Sequence, residues 1–209
     1  HVKNQTPMIC LAAVKQDGFA LEFVHEQTPE ICLEAVKQFG LALRYVIEQT
    51  EEICIAAVKQ TGEALEYIRE KTPEICMKCV KLSGFALKYI DEQTHEICLD
   101  AVRKNGNALQ FVKEQTPEIC LEAIKKSWFV LEHVKEQTPE LCLAAVKQNV
   151  HAIMFVKEMT PEICIEVLKK DFKLLHYVND LSREEMSELF VNYFKRIDNS
   201  VKCMNDKNL

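Results

Sequence analysis

The residues of this 209-residue chain most able to do chemistry are its ten cysteines. Eight of them, Cys10, Cys32, Cys54, Cys76, Cys98, Cys120, Cys142 and Cys164, recur every 22 residues. Cys79 forms the one Cys-x-x-Cys pair with Cys76, and Cys203 lies near the C-terminus. Such thiols could pair as disulfides, ligate zinc or act as nucleophiles. A disulfide needs Cα atoms within about 7 Å, whereas equivalent residues on stacked helices sit about 8 to 10 Å apart. A zinc site wants a second cysteine pair, or histidines at ligand spacing. The histidines His1, His25, His95, His133, His151 and His176 fall in unrelated columns. The eight periodic cysteines therefore read as small apolar core residues, and Cys79 as a replacement for alanine. Cys203 is the thiol expected to be exposed. Their number points to a reducing, intracellular compartment.

Acid–base and phosphate chemistry find no better support. No Ser, His and acid set recurs, and there is no glycine-rich phosphate loop. The expectation is no enzyme, no cofactor and no metal site. Two charged ladders remain. Lys15, Lys37, Lys59, Lys81, Arg103, Lys125, Lys147 and Lys169 form one, and Glu26, Glu48, Glu70, Glu92, Glu114, Glu136, Glu158 and Asp180 the other. A basic stripe could track phosphates. The same column falls in a last helical turn, where a cation complements the helix dipole. With a net charge of −6 as well, nucleic acid is a disfavoured partner.

These ladders imply the elements that carry them. Thr6, Thr28, Thr50, Thr72, Thr94, Thr116, Thr138 and Thr160 keep the same period of 22 without insertion or deletion. Threonine followed by proline, as at Thr28 and Pro29, is a helix start. Ile31, Cys32, Ala35 and Val36 share one helical face; Ala42, Leu43, Tyr45 and Val46 form a second. Eleven residues beyond each threonine stand Asp17, Phe39, Thr61, Ser83, Asn105, Ser127, Asn149 and Asp171, all good N-caps except Phe39. The unit is thus expected to be a helix of about ten residues, a one-residue corner, and a second helix of about eight. One continuous helix with an 11-residue repeat is a poor rival, because a proline inside it costs about 3 kcal/mol.

All five glycines, Gly18, Gly40, Gly62, Gly84 and Gly106, occupy one column, followed by Trp128, Val150 and Phe172. A β-branched valine resists positive φ. Close approach of the corner to its neighbour is the expected reason for glycine, with a wider or bent stack where bulk replaces it. Residues 1–181 are expected to form an all-α solenoid of eight two-helix repeats. Residues 182–209 are expected to form a C-terminal capping helix and tail, because Ser182 and Glu185 make a capping box ahead of Met186, Phe190, Tyr193, Phe194, Ile197 and Val201. His1 to Pro7 resemble His133 to Pro139, so the chain is expected to begin inside the last turn of a preceding unit. No apolar run approaches the ~20 residues of a membrane span.

Columns that vary between copies are free of the demands of stacking. Their near-exposed apolar residues, Phe19, Phe39, Leu41, Ile47, Phe85 and Phe129, are the candidate partner surface. The string from Glu30 to Val46, E-I-C-L-E-A-V-K-Q-F-G-L-A-L-R-Y-V, resembles the tandem repeats known as domain of unknown function 4116. These occur in giant viruses of amoebae, intracellular bacteria and protists. The resemblance runs over residues 1–181 and implies a helical-repeat fold; that family has no established activity, so it carries over no functional residue. It adds host cytoplasm or a viral particle to the expected compartments. The function expected is a non-catalytic scaffold for an unknown protein partner. The alternatives are a nucleic-acid-binding solenoid using the Lys/Arg ladder, and a structural component of a large assembly or virion that associates end to end through its uncapped N-terminal face.

Overall fold

The computed structural model describes residues 4–177, together with Ser187 and Val191. Eight α-helices are present among the described residues: α1 (Pro7–Gln16), α2 (Pro29–Gln38), α3 (Glu51–Gln60), α4 (Pro73–Leu82), α5 (His95–Lys104), α6 (Pro117–Lys126), α7 (Pro139–Gln148) and α8 (Pro161–Lys170). Each is followed by a 3-10 helix: η1 (Gly18–Phe23), η2 (Gly40–Tyr45), η3 (Gly62–Tyr67), η4 (Gly84–Tyr89), η5 (Gly106–Phe111), η6 (Trp128–His133), η7 (Val150–Phe155) and η8 (Phe172–Tyr177). No strand occurs among the described residues. The fold is an all-α repeat solenoid. Ser187 and Val191 are helical; the rest of the expected capping helix, and Cys203, lie outside the described residues.

The threonine ladder starts the α-helices as its chemistry requires. The Oγ1 of all eight accepts the N–H three residues on, from Thr6 with Ile9 to Thr160 with Ile163, at 3.3 to 3.4 Å. Each helix then ends at a corner in extended conformation, such as Asp17 at φ −144° and ψ 112°. The corner N–H still closes the α-helix while its carbonyl opens the next helix: Asp17 N–H donates to Ala13 O, and Ala20 N–H donates to Asp17 O.

The second element differs from expectation, being a six-residue 3-10 helix instead of an α-helix of about eight. The reason is legible in the burial. Gly40, Leu43 and Val46 are buried at intervals of three, as are Gly18, Leu21 and Val24, and Gly84, Leu87 and Ile90. A 3-10 helix eclipses residues i and i+3, so this spacing makes one continuous inner row. Capping at the corner is also narrower than expected. Asp17, Asn105, Asn149 and Asp171 each accept the N–H two residues on, at 2.9 to 3.0 Å. Thr61, Ser83 and Ser127 make no such side-chain bond. An Asp or Asn carbonyl oxygen reaches that N–H to form an Asx turn, which hydroxyls form more weakly.

Two compact units are distinguished, residues 1–126 and 127–209, and the boundary falls one residue before Trp128, where the glycine column ends. In the first, α1 to α6 pack in sequence, each on the next, and η1 to η5 do likewise. In the second, α7 packs on α8, and η6 to η8 follow in order. Among the described residues the core is wholly apolar, with no buried polar or charged residue. No glycine has positive φ, as expected. A Cβ at Gly18, Gly40, Gly84 or Gly106 would come within 2.5 to 2.8 Å of the carbonyl oxygen of Ala35, Ala57, Ala101 or Ala123 in the next copy. Close approach is what excludes a side chain there.

Candidate functional site

The eight periodic cysteines and Cys79 are free thiols, all buried. Burial pushes Cys79 up to about 12, and Cys142 and Cys164 up to about 11. It also raises Cys32, Cys54, Cys76, Cys98 and Cys120. Desolvation disfavours the thiolate, the form that attacks or binds metal. Several thiols instead face a glutamine oxygen, as Cys32 Sγ does Gln27 Oε1 at 3.5 Å and Cys142 Sγ does Gln137 Oε1 at 3.5 Å. Among the described residues no group of three His, Cys, Asp or Glu side chains is placed to hold a metal ion.

The basic ladder is exposed along its whole length and is interleaved with acid. Lys37 pairs with Glu34 at 3.1 Å, and Lys169 with Glu166 at 3.4 Å. Lys81 reaches Asp100 of the next copy at 3.3 Å, and Arg103 reaches Glu122 at 3.4 Å. Glu122 also holds Lys125 at 2.6 Å. Lys125, and then Arg103, keep its carboxyl below the ordinary carboxylate value. The acidic ladder from Glu26 to Glu158 is exposed; Asp180 lies outside the described residues.

The six candidate surface residues divide by position. Phe19, Phe39 and Leu41 are half-buried and so less exposed than their columns suggested, while Ile47, Phe85 and Phe129 are exposed. Phe19 on η1 stands 4.3 Å from Phe39, the corner after α2, and 6.1 Å from Tyr45 on η2, ring centre to ring centre. Leu41 shares η2 with Tyr45. Phe85 on η4 meets Phe111 on η5 edge-on at 6.0 Å. In the second unit Phe129 on η6 meets Phe155 on η7 edge-on at 5.0 Å and Trp128 at 5.8 Å. Ile47 belongs to a different group. It lies in the loop after η2, where its N–H donates to Gln27 Oε1.

The recurring contact is therefore between the residue after the glycine column, which holds Trp128 in the sixth copy, and an aromatic 26 residues on. Edge-to-face geometry at these distances suits ring quadrupoles. Cations join the same layer. The Arg44 guanidinium lies 4.9 Å from the Tyr45 ring centre and 5.9 Å from that of Tyr67, and Lys88 Nζ lies 5.2 Å from that of Tyr89.

Sequence reasoning missed a second recurrent group, the glutamines that precede six of the eight threonines. Gln27 Nε2 donates to Tyr45 O at 2.9 Å while its Oε1 accepts Ile47 N–H at 2.9 Å. Gln5, Gln49, Gln93 and Gln137 repeat this two-point clamp between successive loops. A polar residue recurring beside an apolar ladder, with Lys71 and Met159 as its exceptions, was the available signal.

The family described as Domain of unknown function (DUF4116) matches residues 9–50, 28–72, 50–95, 72–115 and 94–138. The chain belongs to this family. Each match spans two 22-residue copies, and successive matches overlap by about one copy. Together they cover residues 9–138, a shorter stretch than the 1–181 over which the resemblance was drawn. The α-plus-3-10 pattern itself continues to Tyr177. No curated protein and no solved structure matches the chain. No helix among the described residues is long and apolar enough to cross a membrane.

Proposed function

We propose that this protein is a non-catalytic scaffold whose 3-10 layer presents an aromatic surface to a protein partner. The observation that carries this reading is the repeated edge-on ring pair, seen as Phe85 with Phe111 in the first unit and Phe129 with Phe155 in the second, with Phe85 and Phe129 exposed. Rings held by neighbours lose little freedom on binding, and partly exposed aromatic and arginine side chains are the usual anchors of protein interfaces. Arg44, lying beside two tyrosine rings, adds such an anchor. Buried thiols with raised pKa values favour a scaffold over a thiol enzyme and fit a reducing compartment, whether cell cytoplasm, host cytoplasm or virion.

The nucleic-acid alternative is weakened by the acidic partners of Lys37, Lys81, Arg103, Lys125 and Lys169, since a paired cation releases fewer counterions on meeting phosphate. End-to-end self-association is the other alternative. Sedimentation over a range of concentration tests it.

The scaffold reading is tested by affinity capture with the Phe85→Ala and Phe129→Ala variants, each checked for an unchanged thermal melt. Loss of a partner bound by the parent chain is expected. An identical captured set from parent and variants refutes the reading. Steep salt-sensitive retention of RNA or DNA on a filter would turn the assignment to the alternative.

A further inference from the structure

The copy that begins at Thr72 departs from its neighbours at three adjoining places. The first is the column that faces the corner glycines. Ala35, Ala57, Ala101 and Ala123 are fully buried there, and their carbonyl oxygens would lie 2.5 to 2.8 Å from a Cβ on the opposing glycine. Gly62 faces Cys79 instead. A Cβ on Gly62 would meet only the Ser83 side chain, at 3.5 and 3.6 Å, with no atom of Cys79 within 4 Å. Cys79 is itself fully buried. Cys79 places a sulfur where the other copies have a methyl group, and the glycine of the preceding copy stands farther from its carbonyl than in those copies.

The second departure is Ile75. Ile31, Ile53, Ile97 and Ile119 hold the same place in their copies at 1 to 2% exposure, whereas Ile75 is only half-buried. The third is Lys71, which replaces the clamping glutamine. A glutamine there would donate to Tyr89 O and accept Asp91 N–H, by analogy with Gln93 on Phe111 O and Lys113 N–H. Lysine has no acceptor to offer.

From this combination we infer that the fourth copy is a built-in weak layer, the place where the stack of the first unit opens ahead of its neighbours. Both of its connections are relaxed. The corner side has lost the glycine–carbonyl contact, and the loop side has lost its two-point clamp. A solenoid holds together through nearest-neighbour interfaces, so one weak interface localises opening without dissolving the layers around it. Opening there would bare the Cys76 and Cys79 thiols and the Ile75 side chain.

Native-state hydrogen exchange on the full chain tests this, with Lys71→Gln and Cys79→Ala, which restore the residues of the other copies. In the parent chain, amides of α4 are expected to exchange about tenfold faster than their equivalents in α2 and α5, a difference typical of sub-global opening. Lys71→Gln is expected to slow α4 exchange by about fivefold, the worth of a net hydrogen bond, and to leave α2 unchanged. Cys79→Ala, normally a cavity-forming change, is expected to leave α4 protection equal or higher. Equal protection of α2, α4 and α5 in the parent chain would overturn the inference. So would failure of Lys71→Gln to slow α4, or a loss of α4 protection in Cys79→Ala.

Discussion

Replacing Gly40 by alanine separates the two meanings a repeated glycine can have. No glycine here has positive φ, so alanine is free to adopt the backbone at every position in the column. What differs is space. At Gly40 the new Cβ would sit 2.5 Å from Ala57 O, 2.7 Å from Thr61 Cγ2 and 2.8 Å from Gln60 Oε1. Ordinary contact begins at 3.4 Å, so a helix backbone must retreat by about 0.9 Å. Overpacking of this kind costs about 1 to 3 kcal/mol. At Gly62 the nearest atom is 3.5 Å away, so alanine fits. There it gains about 0.4 to 1 kcal/mol by restricting the unfolded chain. A change of about 2 kcal/mol shifts the melting midpoint of a chain this size by about 4 to 8 °C. Thermal melts followed by circular dichroism should therefore show Gly40→Ala several degrees below the parent and Gly62→Ala level with it or slightly above. Equal destabilisation by both would refute close approach as the reason for the glycine column.

The glutamine clamp makes an independent prediction. Gln93→Ala deletes the bond to Phe111 O and leaves Lys113 N–H without that acceptor, so it should cost about 1 to 3 kcal/mol in chemical denaturation. Thiol titration supplies another. With Cys142 and Cys164 pushed up to about 11 and Cys79 up to about 12, these groups should resist a thiol reagent at neutral pH until the chain is denatured. The same shifts set the alkaline limit of stability. The folded state holds each proton more tightly than the unfolded chain, whose thiols have the ordinary value of 9.0. The contribution is complete below pH 9.0 and is lost as pH rises toward 11 to 12. Midpoints measured from pH 7 upward should therefore fall above about 9; a flat profile would contradict buried thiols.

What one copy contains was readable along the chain. The threonine caps, the ten-residue α-helix and the buried Ile, Cys, Ala and Val columns obey rules that act within three or four residues, and a strict period repeats their evidence eight times. The 3-10 form of the second helix was also present locally, as the spacing of Gly40, Leu43 and Val46. Other features depend on residues 17 to 26 positions away, and only stacking brings those within reach. The Ala57 carbonyl decides that Gly40 must lack a side chain, whereas at Gly62 only the Ser83 side chain, at 3.5 Å, lies near the place a side chain would take. Gln27 has a role only because Tyr45 O and Ile47 N–H arrive beside it. Phe19, Phe85 and Phe129 looked like free surface residues in their columns, yet each ring rests on an aromatic of the following copy. A residue type states what a side chain can do, whereas its neighbours across the stack decide which of those capacities is used.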